Sequence, residues 1–242
     1  IGSTVDSLTY LGEFTHNAIS TALSKEAAHA MVKIAPGIDV DHFKPVEAGS
    51  LRAELGLTNK KVIVSVGRLV HRKGQDHLIQ AMPEILKRVP DAHILMVGQG
   101  PYLSHLKKLV QELNLVDHVS FIGRIQYAQL PQYICAGDIF AMPSRSRFFG
   151  LEVEGLGIVY LEASACGLPV IAGSSGGAPD AVLVGVTGMV VDGENNQEIA
   201  AGAIKLLQDL PASKAMGLAG REWIIENWRW EIWSDRFNKL LQ

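Results

Sequence analysis

The chain has 242 residues, 48% of them hydrophobic, and a net charge of −3. That is enough apolar material for one or two packed domains, and the slightly acidic balance argues against a nucleic-acid partner, whose phosphates need a basic footprint. No apolar run approaches the ~20 residues that cross a bilayer as a helix.

The chain opens IGSTVDSL, with neither an initiator Met nor a signal-peptide pattern, and reads as the remainder of something longer. SLTYLGEFT could be a strand and HNAISTALSKEAA a helix. MVKIAPGIDVDHFKP then turns at Pro36-Gly37 and ends at Pro45, as the last piece of a preceding lobe and a linker would. From residue 62 the pattern is regular. VIVSV at 62–66 ends at Gly67, and the spacing of Leu78, Ile79, Met82, Ile85 and Leu86 predicts a helix over 74–88. HILMV at 93–97 is followed by a helix over 102–113, HVSFI at 118–122 by one over 128–136, and DIFAMP at 138–143 reads as the next strand. LPVIAG at 168–173 and TGMVV at 187–191 are further strands, and helices are predicted over 195–207 and 212–227. NWRWEIWSDRFNKLLQ predicts a last helix. Its Trp228, Trp230 and Trp233 either pack against a neighbouring element, the commoner fate, or form a membrane-interface patch.

Short apolar strands alternating with helices indicate βαβ units and an α/β fold: a Rossmann-like, doubly wound parallel sheet covered on both faces. Right-handed crossovers put every strand's C-terminal end on one edge, where such sheets bind ligands. The residues after each strand are therefore the first places to look: Gly67-Arg68, Gly98-Gln99-Gly100, Gly123-Arg124, Ser144-Arg145 and the stretch 173–177. The two cysteines, Cys135 and Cys166, sit in apolar stretches and suit small buried thiols in a reducing compartment better than a disulfide.

GRLVHRKG at 67–74 places Arg68, Arg72 and Lys73 between a strand end and a helix start. This is either a solvated basic loop or an anion clamp, and its position on the ligand edge favours the clamp. MVGQGP fails as a dinucleotide fingerprint, because the third glycine should fall at Leu103. The DVD at 39–41 is better explained by a solvated turn than by a metal. No zinc spacing or GxSxG elbow occurs.

EGLGIVYLEASACGLPVI sets Glu154 and Glu162 around a helix start. Glu162 lies among apolar neighbours, where a carboxylate needs a partner. Vicinal hydroxyls can be that partner, and the free amides around 157–159 suit phosphate. Acids for hydroxyls, with amides plus Arg68 and Lys73 for phosphates, describe a nucleoside diphosphate sugar site.

EGLGIVYLEASACGLPVI resembles the E-x7-E motif of the family 4 retaining glycosyltransferases of GT-B fold, GRLVHRKG their G-R-x(4)-K-G phosphate clamp, and PGIDVDHFKP their interlobe linker. The form RFFGLEVEGLGIVYLEA is most similar to actinobacterial GDP-mannose-dependent phosphatidylinositol mannosyltransferases. The resemblance implies the C-terminal, donor-binding lobe over 46–227, the end of the N-terminal lobe and the linker over 1–45, and a helix crossing back over 228–242. It implies that Arg68 and Lys73 hold the diphosphate, and that amides of Ile158 and Val159 also meet phosphate. Glu154, with the backbone through Leu156 and Gly157, would hold the donor sugar, Glu162 the ribose, and main chain near Arg124 and Ile125 would face the base. Arg68, Lys73 and Glu154 are the residues expected to act in catalysis.

The resemblance further implies no metal or other cofactor, a GDP-mannose donor, a glycolipid acceptor held mainly by a first lobe, and a cytoplasmic place with peripheral contact at the inner membrane face. That lobe would also supply a glycine-rich loop and a histidine that this chain lacks, so the chain alone should bind donor and catalyse poorly. Another nucleotide-sugar transferase or epimerase, or a non-catalytic sugar-nucleotide-binding module, are the alternatives.

Overall fold

The computed structural model describes residues 5–242; the first four residues of the IGSTVDSL opening lie outside them. The N-terminal segment holds β1 (Thr9–Tyr10), α1 (Glu13–Ser20), α2 (Lys25–His29) and β2 (Val32–Lys33), with β1 and β2 paired in parallel. Two expectations are corrected here. SLTYLGEFT supplies only a two-residue strand, because Glu13, Phe14 and Thr15 belong to α1. The single helix expected over HNAISTALSKEAA is two, because the Ser24 side chain accepts from the Ala27 amide at 3.2 Å and caps a new helix.

The main domain follows as α3 (Gly49–Glu54), β3 (Lys61–Val66), α4 (Gln75–Arg88), β4 (Ala92–Val97), α5 (Leu103–Glu112), β5 (Val119–Gly123), α6 (Leu130–Cys135) and β6 (Ile139–Met142). Then come α7 (Ile158–Ala165), β7 (Val170–Gly173), β8 (Gly188–Val191), α8 (Asn196–Gln208), α9 (Leu210–Asn227) and α10 (Trp230–Leu240). The short α3 is the one helix of this domain that the periodicity does not announce.

The strands alternate side chains between two cores, as period-2 geometry requires. Val62, Val64 and Val66 join one core, and Ile63 joins the other. Leu78, Ile79, Met82 and Ile85 of α4, Leu106 of α5 and Ala203 of α8 cover one face. Ile134 of α6, Tyr160 and Leu161 of α7 and Ile224 of α9 cover the opposite face.

All neighbouring strands pair in parallel, in the order β5-β4-β3-β6-β7-β8. The chain winds outward from β3 to β5, returns to the middle at β6, and winds outward the other way. That reversal opens a crevice between the C-terminal ends of β3 and β6, where doubly wound sheets bind ligands. The loops that must form the crevice are 67–74 and 143–157.

The N-terminal segment is stitched to the break between α9 and α10. The Ile38 amide donates to the Trp228 carbonyl at 2.7 Å, and the Trp230 amide donates to the Ile38 carbonyl at 3.2 Å. Trp228 and Trp233 are buried, with ring centres 5.9 Å apart, so the packing alternative describes these two; Trp230 remains 59% exposed. No helix among the described residues is long and apolar enough to cross a membrane.

Candidate nucleotide-sugar site

The loop after β3 carries Arg68, passes through a single 3-10 turn, His71–Lys73, and enters α4 through Gly74. Gly74 is left-handed at φ 70°, and a side chain there would run into the Pro143 carbonyl at the end of β6. Only glycine permits so close an approach of the two loops. The Arg145 amide donates to the Arg72 carbonyl at 2.8 Å and ties the same loops together.

Into this junction comes Glu154, which is buried. Its position is set by the GSSGG turn after β7. The Glu154 amide donates to Ser175 Oγ at 3.1 Å, and the Gly177 amide donates to the Glu154 carbonyl at 2.8 Å. The Lys73 ammonium donates to Glu154 Oε2 at 2.6 Å, and Arg72 Nη1 donates to the same oxygen at 3.0 Å. Burial lowers the Lys73 pKa, and the Glu154 charge only partly offsets it. Two predicted residues, 81 positions apart, thus meet as a close ion pair. Arg72 belongs with them, although the sequence marks it no more strongly than its neighbours.

The helix α7 starts beside Glu154. Gly157 is its N-cap, left-handed at φ 77°, with no side-chain cap. Ile158 and Val159 are the first two residues of α7, whose amides have no intrahelical acceptor. Such amides, with the dipole behind them, favour an anion. Tyr160 anchors the helix from below: its hydroxyl donates to the Met142 carbonyl at 2.7 Å and lies 2.9 Å from Ser144 Oγ. Leu156 is buried beneath this turn.

Glu162 lies one turn further along α7. Among the described residues its carboxylate makes no hydrogen bond or ion pair, and burial pushes its pKa up to about 7. Burial raises the Tyr127 hydroxyl pKa, and the Glu162 charge adds to that rise. Tyr127 lines a depression of about 670 Å³ with Ile122, Arg124, Ile125 and Tyr133. Glu162 is not among the residues that line this depression.

The structure brings Lys73 and Glu154 together beside the start of α7, where Leu156, Gly157, Ile158 and Val159 also stand. Glu162 lies one turn further along that helix, and Arg124 and Ile125 lie in the loop after β5, in a depression that no residue of α7 lines. Arg68 is exposed and makes no ion pair among the described residues; its carbonyl accepts from Gln75 Nε2 at 3.4 Å. The larger depression of about 980 Å³ between α4 and α8 opens between helices instead of at the strand ends, and no predicted site residue lines it. The DVD acids are explained locally: Asp39 Oδ1 accepts from the amides of Asp41 at 3.1 Å and His42 at 2.9 Å, a turn.

Sequence reasoning missed Arg145 and Asp76. Arg145 Nη1 and Nη2 donate to Asp76 Oδ1 and Oδ2 at 2.8 and 2.7 Å. Both residues are buried, and Arg145 sits directly behind the clamp turn. The only signal available was its place after a strand, which the Ser144-Arg145 pair shares with several other candidates.

The sequence pattern of the glycosyl transferases group 1 matches residues 49–223. The GDP-mannose-dependent alpha-(1-6)-phosphatidylinositol monomannoside mannosyltransferase of Mycolicibacterium smegmatis is 45% identical over all of this chain and 63% of its own length. The corresponding enzyme for the monoacylated acceptor in Corynebacterium glutamicum is 43% identical, again over all of this chain and 63% of its own. The chain thus spans less than two thirds of these relatives. Among solved structures, Anabaena HepE in complex with UDP matches 99% of this chain and 64% of its own at a TM-score of 0.89 and 24% identity. The fold is the parallel α/β fold of the C-terminal lobe of GT-B glycosyltransferases.

Proposed function

Because the chain belongs to the group 1 glycosyl transferases, we propose that it is the donor-binding part of a retaining mannosyltransferase that moves mannose from GDP-mannose to a phosphatidylinositol mannoside glycolipid. Identity of 43–45% over the whole chain to enzymes so named supports the choice of donor and acceptor. The observation that carries the site is the meeting of Lys73 and Glu154 at 2.6 Å, beside the N-terminus of α7 and at the reversal of strand order.

In this reading Arg68 and Lys73 bind the diphosphate with the amides of Ile158 and Val159. Glu154 and the backbone through Leu156 and Gly157 hold the mannose hydroxyls. Glu162 accepts hydrogen bonds from the ribose diol, and the main chain at Arg124 and Ile125 faces guanine. As the bond from the mannose anomeric carbon to the β-phosphate oxygen breaks, the sugar becomes oxocarbenium-like and the phosphate gains charge. Lys73 and Arg68 stabilise that charge, an electrostatic role placed where charge develops. The acceptor oxygen bonds to the anomeric carbon on the face the phosphate leaves, and its proton passes to the departing phosphate oxygen, so configuration is retained. The cations make a divalent metal unnecessary, so chelators should leave transfer intact.

Residues 1–45 are read as the end of an N-terminal lobe and its linker, 46–227 as the donor domain and 228–242 as the returning helix. The acceptor, its membrane and most of the acceptor site belong with the N-terminal lobe, at the cytoplasmic face of the membrane. Calorimetry of this chain with GDP, UDP and ADP tests the reading. GDP should bind most tightly; a clear preference for UDP would replace mannose with another donor sugar, as in other nucleotide-sugar transferases or epimerases. A fragment that binds GDP, in a full-length protein that transfers nothing, would be a binding module.

A further inference from the structure

We propose that Arg145 is a positioning residue, a buried strut that sets the phosphate clamp, held in place by Asp76 and Tyr102. The inference deepens the donor-site reading and rests on it for the ligand, though not for the strut itself.

Arg145 follows β6 at the reversal of strand order and is 4% exposed; Asp76, in the first turn of α4, is 5% exposed. Their two hydrogen bonds form a planar fork on a carboxylate, the geometry that distinguishes Arg from Lys. The Tyr102 hydroxyl, just before α5, donates to Asp76 Oδ2 at 2.9 Å. Taking such a pair out of water gains little or nothing over well-packed apolar groups. Stability alone is therefore a weak reason for the pair.

Its contacts point to a different role. Arg145 Nε donates to His71 Nδ1 at 3.2 Å, and the Arg145 amide donates to the Arg72 carbonyl at 2.8 Å. One residue thus grips two consecutive members of the turn whose third member is Lys73. The elements it joins are β6, the clamp turn, α4 and α5, which converge at the crevice. Arg145 has its donors engaged by protein groups, so it acts on phosphate through the clamp and does not touch it.

His71 reports on the strut. The charged and titratable groups facing it are Arg145 and Arg147 from the segment after β6, and Asp76 and His77 from α4; the Tyr102 ring lies 5.4 Å away. Burial and then the Arg145 charge hold its pKa below the usual 6.5, so it stays neutral and accepts from Arg145.

The test uses the double variant Arg145→Met/Asp76→Met, which replaces the pair by apolar groups and leaves no lone buried charge, beside Arg145→Lys. GDP affinity by calorimetry, thermal unfolding and the His71 ring titration by NMR are measured on each. The double variant should unfold near the wild-type temperature, yet bind GDP about tenfold more weakly, as if one charge-assisted phosphate bond were lost. Its His71 titration should move up toward 6.5. Arg145→Lys should keep much of the charge effect on His71 but lose GDP affinity, because it lacks the fork; if the double variant does not fold, this variant decides. Wild-type GDP affinity with an unmoved His71 titration would overturn the strut. A wild-type chain that binds no GDP, yet shows the His71 shift on substitution, would sink the donor reading and leave the strut standing.

Discussion

Lys73 Nζ and Glu154 Oε2 stand 2.6 Å apart, and Arg72 shares the same carboxylate oxygen at 3.0 Å. An acid is thus paired with cations proposed for a diphosphate. Binding must therefore exchange partners: phosphate takes Lys73, and Glu154 is released toward sugar hydroxyls. This gives the carboxylate two opposed effects, competition with phosphate and attraction for sugar.

Glu154→Gln separates those effects. Inorganic pyrophosphate should bind this chain a few-fold more tightly, because a competing charge is gone while the amide keeps the shape. In the proposed two-lobe enzyme mannosyl transfer should nevertheless fall by about 100-fold, as the sugar loses its charged acceptor. Titration calorimetry and a transfer assay measure the two arms. Weaker pyrophosphate binding would contradict the exchange.

Lys73→Ala should weaken GDP binding and lower transfer ~100–1,000-fold in the two-lobe enzyme, the scale for removing one group that stabilises transition-state charge. The substitution leaves buried Glu154 with Arg72 alone, so a stability measurement accompanies the assay. Unchanged turnover in a folded variant removes Lys73 from the mechanism.

Glu162 predicts a pH dependence. Burial raises its folded-state pKa to about 7, above the ordinary 4.5, so the unliganded fold favours the protonated form. Its ionisation therefore opposes folding as pH rises from about 4.5 through about 7. Ribose binding favours the carboxylate, so affinity attributable to this group should rise with pH to about 7 and level off above. Subtracting the GDP profile of Glu162→Gln from that of the wild type isolates the effect. A flat difference would remove Glu162 from the ribose.

Gly157→Ala tests the entry to α7. The residue is left-handed at φ 77°, and a Cβ would collide with the Tyr160 ring, which is anchored by its hydroxyl. A loss of about 1–3 kcal/mol in urea unfolding is expected, together with weaker pyrophosphate binding as the amides of Ile158 and Val159 are displaced. Wild-type stability and affinity would show that this turn adjusts freely.

The doubly wound sheet was readable because β3, β4 and β6 are largely apolar runs ended by Gly67, Gly98 and Pro143, the first two followed by helix-spaced residues. The start of α7 was readable for a similar reason: glycines precede an apolar run flanked by acids. The N-terminal segment was misread because a single hydroxyl, Ser24, divides one amphipathic stretch into two helices. The residues around α7 and the clamp loop pointed to one site, but the direct pairing of Lys73 with Glu154 was not legible, since nothing local joins residues 81 apart. Arg145 and Asp76, 69 apart, lacked even that guide; their charges look like any surface pair until the fold buries both.

The most direct test is a crystal structure of this chain with GDP. One nucleotide is expected in the crevice between β3 and β6, with its diphosphate between Arg68, Lys73 and the amides of Ile158 and Val159. Its ribose should lie on Glu162 and its base beside Arg124 and Ile125. A nucleotide bound instead between α4 and α8, or one whose phosphates meet Arg68 while its ribose lies away from Glu162, would contradict the account.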